Sequence, residues 1–206
     1  MPVAQGQVGQ QSLTTGATAL QGFRQLPQGD MAVSELHARY FEQGRYGNMA
    51  SAANQAATAI SIGLTTTYTG LCLYNPLGSG VILVPNKIKF ALSVAPAAIA
   101  TLGLISGFAA TGGVTAQTTK LVNQSSQIGA ATGARGIALS AATVVTPTWL
   151  MHLEDGNTAA SFPANGGPID LEGAFQILPG GFIAIGALSA VTGLGSIVWE
   201  EVPITA

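Results

Sequence analysis

Between Lys89 and Glu154 the chain carries only two formally charged side chains, Lys120 and Arg135. A run of that length has three outlets: it crosses a membrane, it fills a core, or it forms a surface that something else covers. Two stretches, Phe90 to Ala110 and Gly180 to Trp199, are uncharged and long enough to span a bilayer until their composition is read closely. The first is broken by Pro96, Gly103 and Gly107, and the second by Gly180, Gly181, Gly186, Gly193 and Gly195. Neither has the flanking Lys and Arg that orient a membrane helix. Buried strands account for both, and no membrane partner is expected.

Charged residues make up 8% of the chain, against about 25% in an average soluble domain. Solubility must then rest on Ser, Thr, Asn, Gln and backbone, or other subunits must cover much of the surface. With 206 residues the chain fits one ordinary domain plus an extension. Its net charge of −2, with no Lys/Arg cluster beyond Lys87 and Lys89, argues against nucleic acid as a partner. Tyr68 and Tyr74 beside those two lysines are too sparse for a single-strand stacking platform. A lone cysteine, Cys72, excludes an intrachain disulfide framework. The opening MPVAQGQVGQQ lacks the charged flank and apolar core of a signal peptide, so export by the general route is not expected.

The chain divides near residue 55. Residues 1–55 read as an N-terminal arm rich in Gln and Gly, holding six of the sixteen charges (Arg24, Asp30, Glu35, Arg39, Glu42 and Arg45). Met1 to Gly22 has no sustained periodicity. One short helix is predicted over Asp30–Gly44. Asp30 or Ser34 caps it, Val33, Leu36, Tyr40 and Phe41 form its apolar stripe, Glu35 and Arg39 pair at i,i+4, and Gly44 stops it. A helix this short is marginal alone and forms against another surface, either its own domain or a partner.

From Ala59 onward the period drops from 3.6 to 2. In Lys87–Val94, Ile88, Phe90, Leu92 and Val94 fall on one face and Lys87, Lys89, Ala91 and Ser93 on the other. Thr65–Tyr74 is a second strand, closed by the turn Asn75–Gly80, and Val81–Val84 a third, ended by Pro85–Asn86. Further strands are predicted at 99–105, 136–142, 148–153, 169–171, 182–189 and 194–200. Their separators include Thr111-Gly112-Gly113, Glu154-Asp155-Gly156-Asn157, Asn165-Gly166-Gly167-Pro168 and Pro179-Gly180-Gly181. Residues 113–135 read as a long loop or inserted excursion. The expected fold is all-β: an antiparallel β-sandwich or jelly roll over 56–206, preceded by the extended arm with its short helix.

Catalytic chemistry finds little support. Two histidines, His37 and His152, and one cysteine do not assemble a His- or Cys-rich zinc site. Cys72 lies in an apolar strand and reads as a buried, inert thiol. His152 with Glu154 and Asp155 reads as a strand end entering an Asp-Gly turn. Glu200 and Glu201 are strand neighbours and point to opposite faces, so at most one of them meets a pocket. The glycines of Gly78-Ser79-Gly80 and Gly193-Leu194-Gly195 serve turns and close packing, since no Gly-Lys-Ser/Thr follows them. No catalytic, metal-binding or cofactor-binding residues are assigned, and no enzyme activity is expected.

Two blocks of sequence carry a resemblance. IDLEGAFQILPGGFIAI (169–185) with IVWEEVP (197–203) resembles the closing strands of jelly-roll proteins from tailed-phage virions, and LCLYNP (71–76) through KIKF (87–90) is similar to their opening strands. The resemblance spans residues 60–206. It implies a homotrimeric capsid decoration (cement) protein in the virion, made in the host cytoplasm and bound to the major capsid protein on the outer shell. Under that implication the arm makes the shell contacts, through Phe23, Arg24, Leu36, Arg39, Tyr40, Phe41, Arg45 and Tyr46. The alternative is a tail or fibre component with a receptor- or glycan-binding head, disfavoured because loops 111–135 and 154–168 hold a single aromatic residue, Phe162.

Overall fold

The structure, a computed structural model, describes residues 40–94, 100–156 and 169–204. The chain divides into two units, Met1–Phe41 and Glu42–Ala206, and the architecture below is that of the second. Most of the predicted arm and helix, including Phe23, Arg24, Leu36 and Arg39, lies outside the described residues. So do the Asn165–Pro168 turn and Phe162.

The described elements are α1 (Phe41–Arg45) and twelve strands. In chain order these are β1 (Met49–Ala53), β2 (Thr58–Ile60), β3 (Thr67–Tyr74), β4 (Val81–Leu92), β5 (Ala100–Phe108) and β6 (Val114–Lys120). They continue with β7 (Gln124–Ser125), β8 (Ile137–Val144), β9 (Thr148–Gly156), β10 (Ile169–Asp170), β11 (Gly181–Ala187) and β12 (Val191–Pro203). Every pairing between these strands is antiparallel. The first sheet runs β10-β4-β12-β1-β7, with β2 also on β12, and the second runs β6-β8-β3-β11-β5-β9. The fold class expected from the sequence is the one observed: an antiparallel β-sandwich.

Three local expectations change. Gly44 does not stop the helical turn; Gly47 does, at φ 74°. Asn48 N–H reaches the Gln43 carbonyl and Gly47 N–H the Gly44 carbonyl, both at 3.1 Å, the paired bonds of a left-handed helix cap. Pro85–Asn86 does not end a strand either. β4 runs through it as one strand, because β12 pairs Trp199 with Pro85 and Val198 with Lys87, leaving Asn86 as the extra residue of a bulge. The freed Asn86 carbonyl accepts the Leu171 N–H at 2.7 Å, which docks the chain after β10 against this edge. Finally, the 113–135 stretch is not all loop. Val114–Lys120 is an edge strand whose register on β8 shifts repeatedly, and its polar, exposed side chains hide it from period-2 reading.

β1 pairs residue by residue with β12, Met49 opposite Glu200 through Ala53 opposite Ser196. The sheet therefore begins at Met49, inside the stretch read above as arm.

Two cores result. The first lies between the sheets and joins Leu83, Ile88, Ile197 and Trp199 to Leu71, Leu73, Leu104, Ile183 and Ile185. Contact across the gap is close: a Cβ at Gly195 would lie 2.8 Å from Leu71 Cβ. The second lies on the opposite face of the second sheet, among Tyr68, Cys72, Tyr74, Leu139, Val144, Phe182 and Ala184, with Trp149 packed against it. That face is covered because the sheet curls on itself. β8 and β5 are three places apart in the strand order, yet a Cβ at Gly107 in β5 would meet the carbonyl oxygen of Val145, the residue just after β8, at 2.7 Å. Large side chains buried this way contribute about 1.5–3 kcal/mol each.

Candidate functional site

Among the described residues an apolar groove of about 350 Å³ lies at one side of the sandwich. β5 and β9 form one wall through Ser106, Phe108 and Leu150, and the segment entering β11 forms the other through Phe175, Ile177 and Leu178. No charged side chain lines it. Its rim is unusually apolar for a water-facing surface: Phe108 is 59% exposed, Leu178 53% and Leu77 48%. Leu77 and Phe108 converge on one glycine. A Cβ at Gly180 would lie 3.0 Å from Leu77 Cδ2 and 3.3 Å from Phe108 Cε2.

The rim is held by backbone bonds to a buried amide. Asn75 is fully buried, and its Nδ2 donates to the Val81 and Ile177 carbonyls at 2.8 and 2.7 Å. Gly180, at φ 92°, donates to the Asn75 carbonyl at 2.7 Å, and its own carbonyl accepts the Gly113 N–H at 2.7 Å. Only glycine adopts that backbone freely, so the Pro179-Gly180-Gly181 turn read from sequence is also what fixes the groove's wall.

Glu201 occupies a second built position. Its side chain is buried, and both carboxylate oxygens accept the Arg135 N–H at 2.9 Å. Oε1 also accepts Gly136 N–H at 2.8 Å and the Trp199 indole Nε1–H at 3.1 Å. Arg135 carries the clamp further, donating from Nη1 to the Ser79 carbonyl at 2.9 Å. Glu200, on the opposite face as expected, is half-buried, and loss of solvent raises its pKa from the ordinary Glu value. The Glu201 arrangement is a structural clamp: Oε1 takes three donors, and Oε2 shares the Arg135 N–H with it.

Other reactive groups are closed off or isolated. Cys72 is buried as the sequence reading expected, and burial pushes its thiol pKa far up, which suppresses the nucleophilic thiolate. Burial likewise raises Tyr68, whose hydroxyl is engaged by the Leu71 and Ile185 carbonyls at 2.8 and 2.7 Å. His152 is exposed and stacks obliquely on Trp149, ring centres 5.7 Å apart. Among the described residues no three His, Cys, Asp or Glu side chains converge as metal ligands, and no helix is long and apolar enough to cross a membrane.

Of the eight arm residues singled out in the sequence, four fall among the described residues. Tyr40 precedes α1, Phe41 begins it, and Arg45 ends it. Phe41 and Tyr46 are exposed. Arg45 is tied to the β7–β8 connection, its carbonyl accepting Gln127 Nε2–H at 2.6 Å. Sequence reading missed the groove. Its one advance signal was the pair Phe175 and Leu178, large apolar residues on either side of Gln176 just before a glycine turn. No protein-family model, curated protein or solved structure matches the chain.

Proposed function

We propose that this chain is a structural virion protein: a homotrimeric decoration (cement) protein on the outer surface of a tailed-phage head. Segment 1–39 and α1 bind the major capsid protein. The observation that supports it best is the surface. Scattered exposed apolar residues are ordinary, but here Phe108, Leu150 and Leu178 meet at an uncharged groove on a charge-poor chain. Such a surface suits permanent cover by other subunits better than free solution. A decoration protein also needs no reactive centre, in keeping with a buried thiol and a Glu201 engaged in holding backbone. Several weak contacts per trimer add through multivalency.

The test compares the full chain with residues 40–206 on purified undecorated shells. The cut must stop short of Met49, because β1 belongs to the sheet. A decoration protein gives a shortened chain that still forms trimers but no longer binds shells. Undiminished shell binding by 40–206 refutes the arm's role. Binding of both forms to host cells, and of neither to shells, gives the fibre-head reading instead.

A further inference from the structure

The described residues begin at Tyr40, just before α1, and the end of α1 is held by residues some eighty positions later in the sequence. Gln127 donates from Nε2 to the Arg45 carbonyl at 2.6 Å, and Ser126 donates from Oγ to the Gly44 carbonyl at 3.4 Å. Behind them the Ser126 N–H bonds the Met49 carbonyl at 3.2 Å, and Ser125 pairs with Ala50 where β7 meets β1. The end of α1 and the start of the β7–β8 connection are thus one unit, tied to the first sheet through backbone as well as side chains.

That unit carries a projecting apolar corner. Ala130 N–H bonds the Gln127 carbonyl at 3.0 Å, and Gly129 takes φ 95° at the position where a type II turn calls for glycine. Ile128 therefore occupies the outer position of the turn. It is 91% exposed, more than any other large apolar side chain among the described residues. Tyr46, next to the residue that Gln127 holds, is 66% exposed. Neither is a stray tip on a loose loop, because the backbone beneath each is fixed by the bonds above.

We infer that Ile128 and Tyr46 form a second shell anchor, seated in an apolar pocket on the same capsid protein surface that receives the arm. This rests on the decoration-protein reading and adds to it a contact from far outside the arm. The occupant follows from where the chain goes. Residues 1–39 continue directly from Tyr40, so a surface that binds them lies beside the corner that α1 shares with the Ile128 turn. A protein pocket suits these two tips. A β-branched aliphatic with a stiff χ1 and an aromatic with a polar end lose little freedom on seating when their backbone is already held. Tethered to the arm, their contact is effectively intramolecular, so it adds to shell affinity even where it is weak alone.

The test uses the full chain with Ile128→Asp, and with Leu64→Asp as the control. Leu64 is 43% exposed and follows β2, which pairs at the Val191 end of β12, whereas Met49 pairs near the other end at Glu200. Both variants should keep the wild-type circular dichroism and the wild-type oligomeric state by native mass spectrometry. Ile128→Asp should bind undecorated shells at least tenfold more weakly than wild type, and the control within twofold. Ile128→Cys gives a second readout that keeps the side chain uncharged. Cys72 is buried, so the new thiol is the one open to labelling. On shells it should be modified at least tenfold more slowly than in the free protein, while Leu64→Cys keeps its free rate.

A folded Ile128→Asp that binds shells like wild type, or a shell-bound Ile128→Cys that labels at its free rate, overturns the inference and leaves the arm's role standing. Loss of the oligomer in Ile128→Asp also overturns it and assigns the turn to contacts between copies. Equal loss of binding in the Leu64→Asp control overturns it as unspecific. A wild-type chain that does not bind shells sinks the decoration reading itself, and this anchor with it.

Discussion

The indole of Trp199 and the carboxylate of Glu201 lie on the same face of β12, and Nε1 donates to Oε1 over 3.1 Å in the interior. That bond belongs to a clamp that also holds the backbone of Arg135 and Gly136. Glu201→Ala would leave the Gly136 N–H and the indole N–H buried without an acceptor. The expected loss is about 3 kcal/mol. Glu201→Gln keeps one acceptor oxygen but turns an amide donor toward an N–H, and should cost about half as much. Urea midpoints at constant slope would check both.

Gly107 should not tolerate a side chain. A Cβ there meets Phe182 Cε1 and the Val145 carbonyl oxygen, both at 2.7 Å, where the second sheet curls onto itself. Gly107→Ala is expected to destabilise by about 1–3 kcal/mol. Gly133→Ala, in open space at ordinary φ, is the control and should be near neutral. Thermal melts of the two variants side by side would decide it.

Glu200 sets a small pH dependence. Its folded pKa is raised by burial, so the folded state binds the proton more tightly than the unfolded chain does. Stability from this group is therefore lost as pH climbs from the ordinary Glu value toward the raised one, and stays lost at neutral pH. Glu200→Gln should stabilise at pH 7, by no more than about 0.5 kcal/mol for so accessible a side chain, and gain nothing below about pH 4. Denaturation midpoints across that range would test the sign.

Cys72 should be silent toward thiol reagents in the native protein and react fully in denaturant. Labelling at pH 8, followed by intact mass, distinguishes this from an accessible thiolate, which would modify within minutes.

Much of the fold was legible because alternation and turns agree. Strands read at 148–153 and 182–189 are found at Thr148–Gly156 and Gly181–Ala187. The second starts at the Pro179-Gly180-Gly181 turn that marked it, while the first runs on through Glu154-Asp155-Gly156, the residues read as its closing turn, which pair with β5. Reading failed where backbone rather than side chain decides. Pro85–Asn86 has the signature of a stop, but a bulge absorbs the extra residue and the strand continues. Val114–Lys120 has no apolar face to betray it, since only Val114 is buried. Met49–Ala53 is too poor in large side chains to stand out, and pairing with β12 places it. The groove was invisible for a different reason: its lining comes from β5, β9 and the approach to β11, which only the strand order brings together.

The curl of the second sheet has a consequence for how the molecule comes apart. β3 and β11 are a party wall: Leu73 and Ile183 face one interior, Cys72 and Phe182 the other. A sandwich of separable leaves can shed one and keep the second. Here, opening either compartment strips the wall that the other leans on, so partial unfolding has no inexpensive route. Amide protons of β3 and β11 should exchange last and together, at the rate of global unfolding.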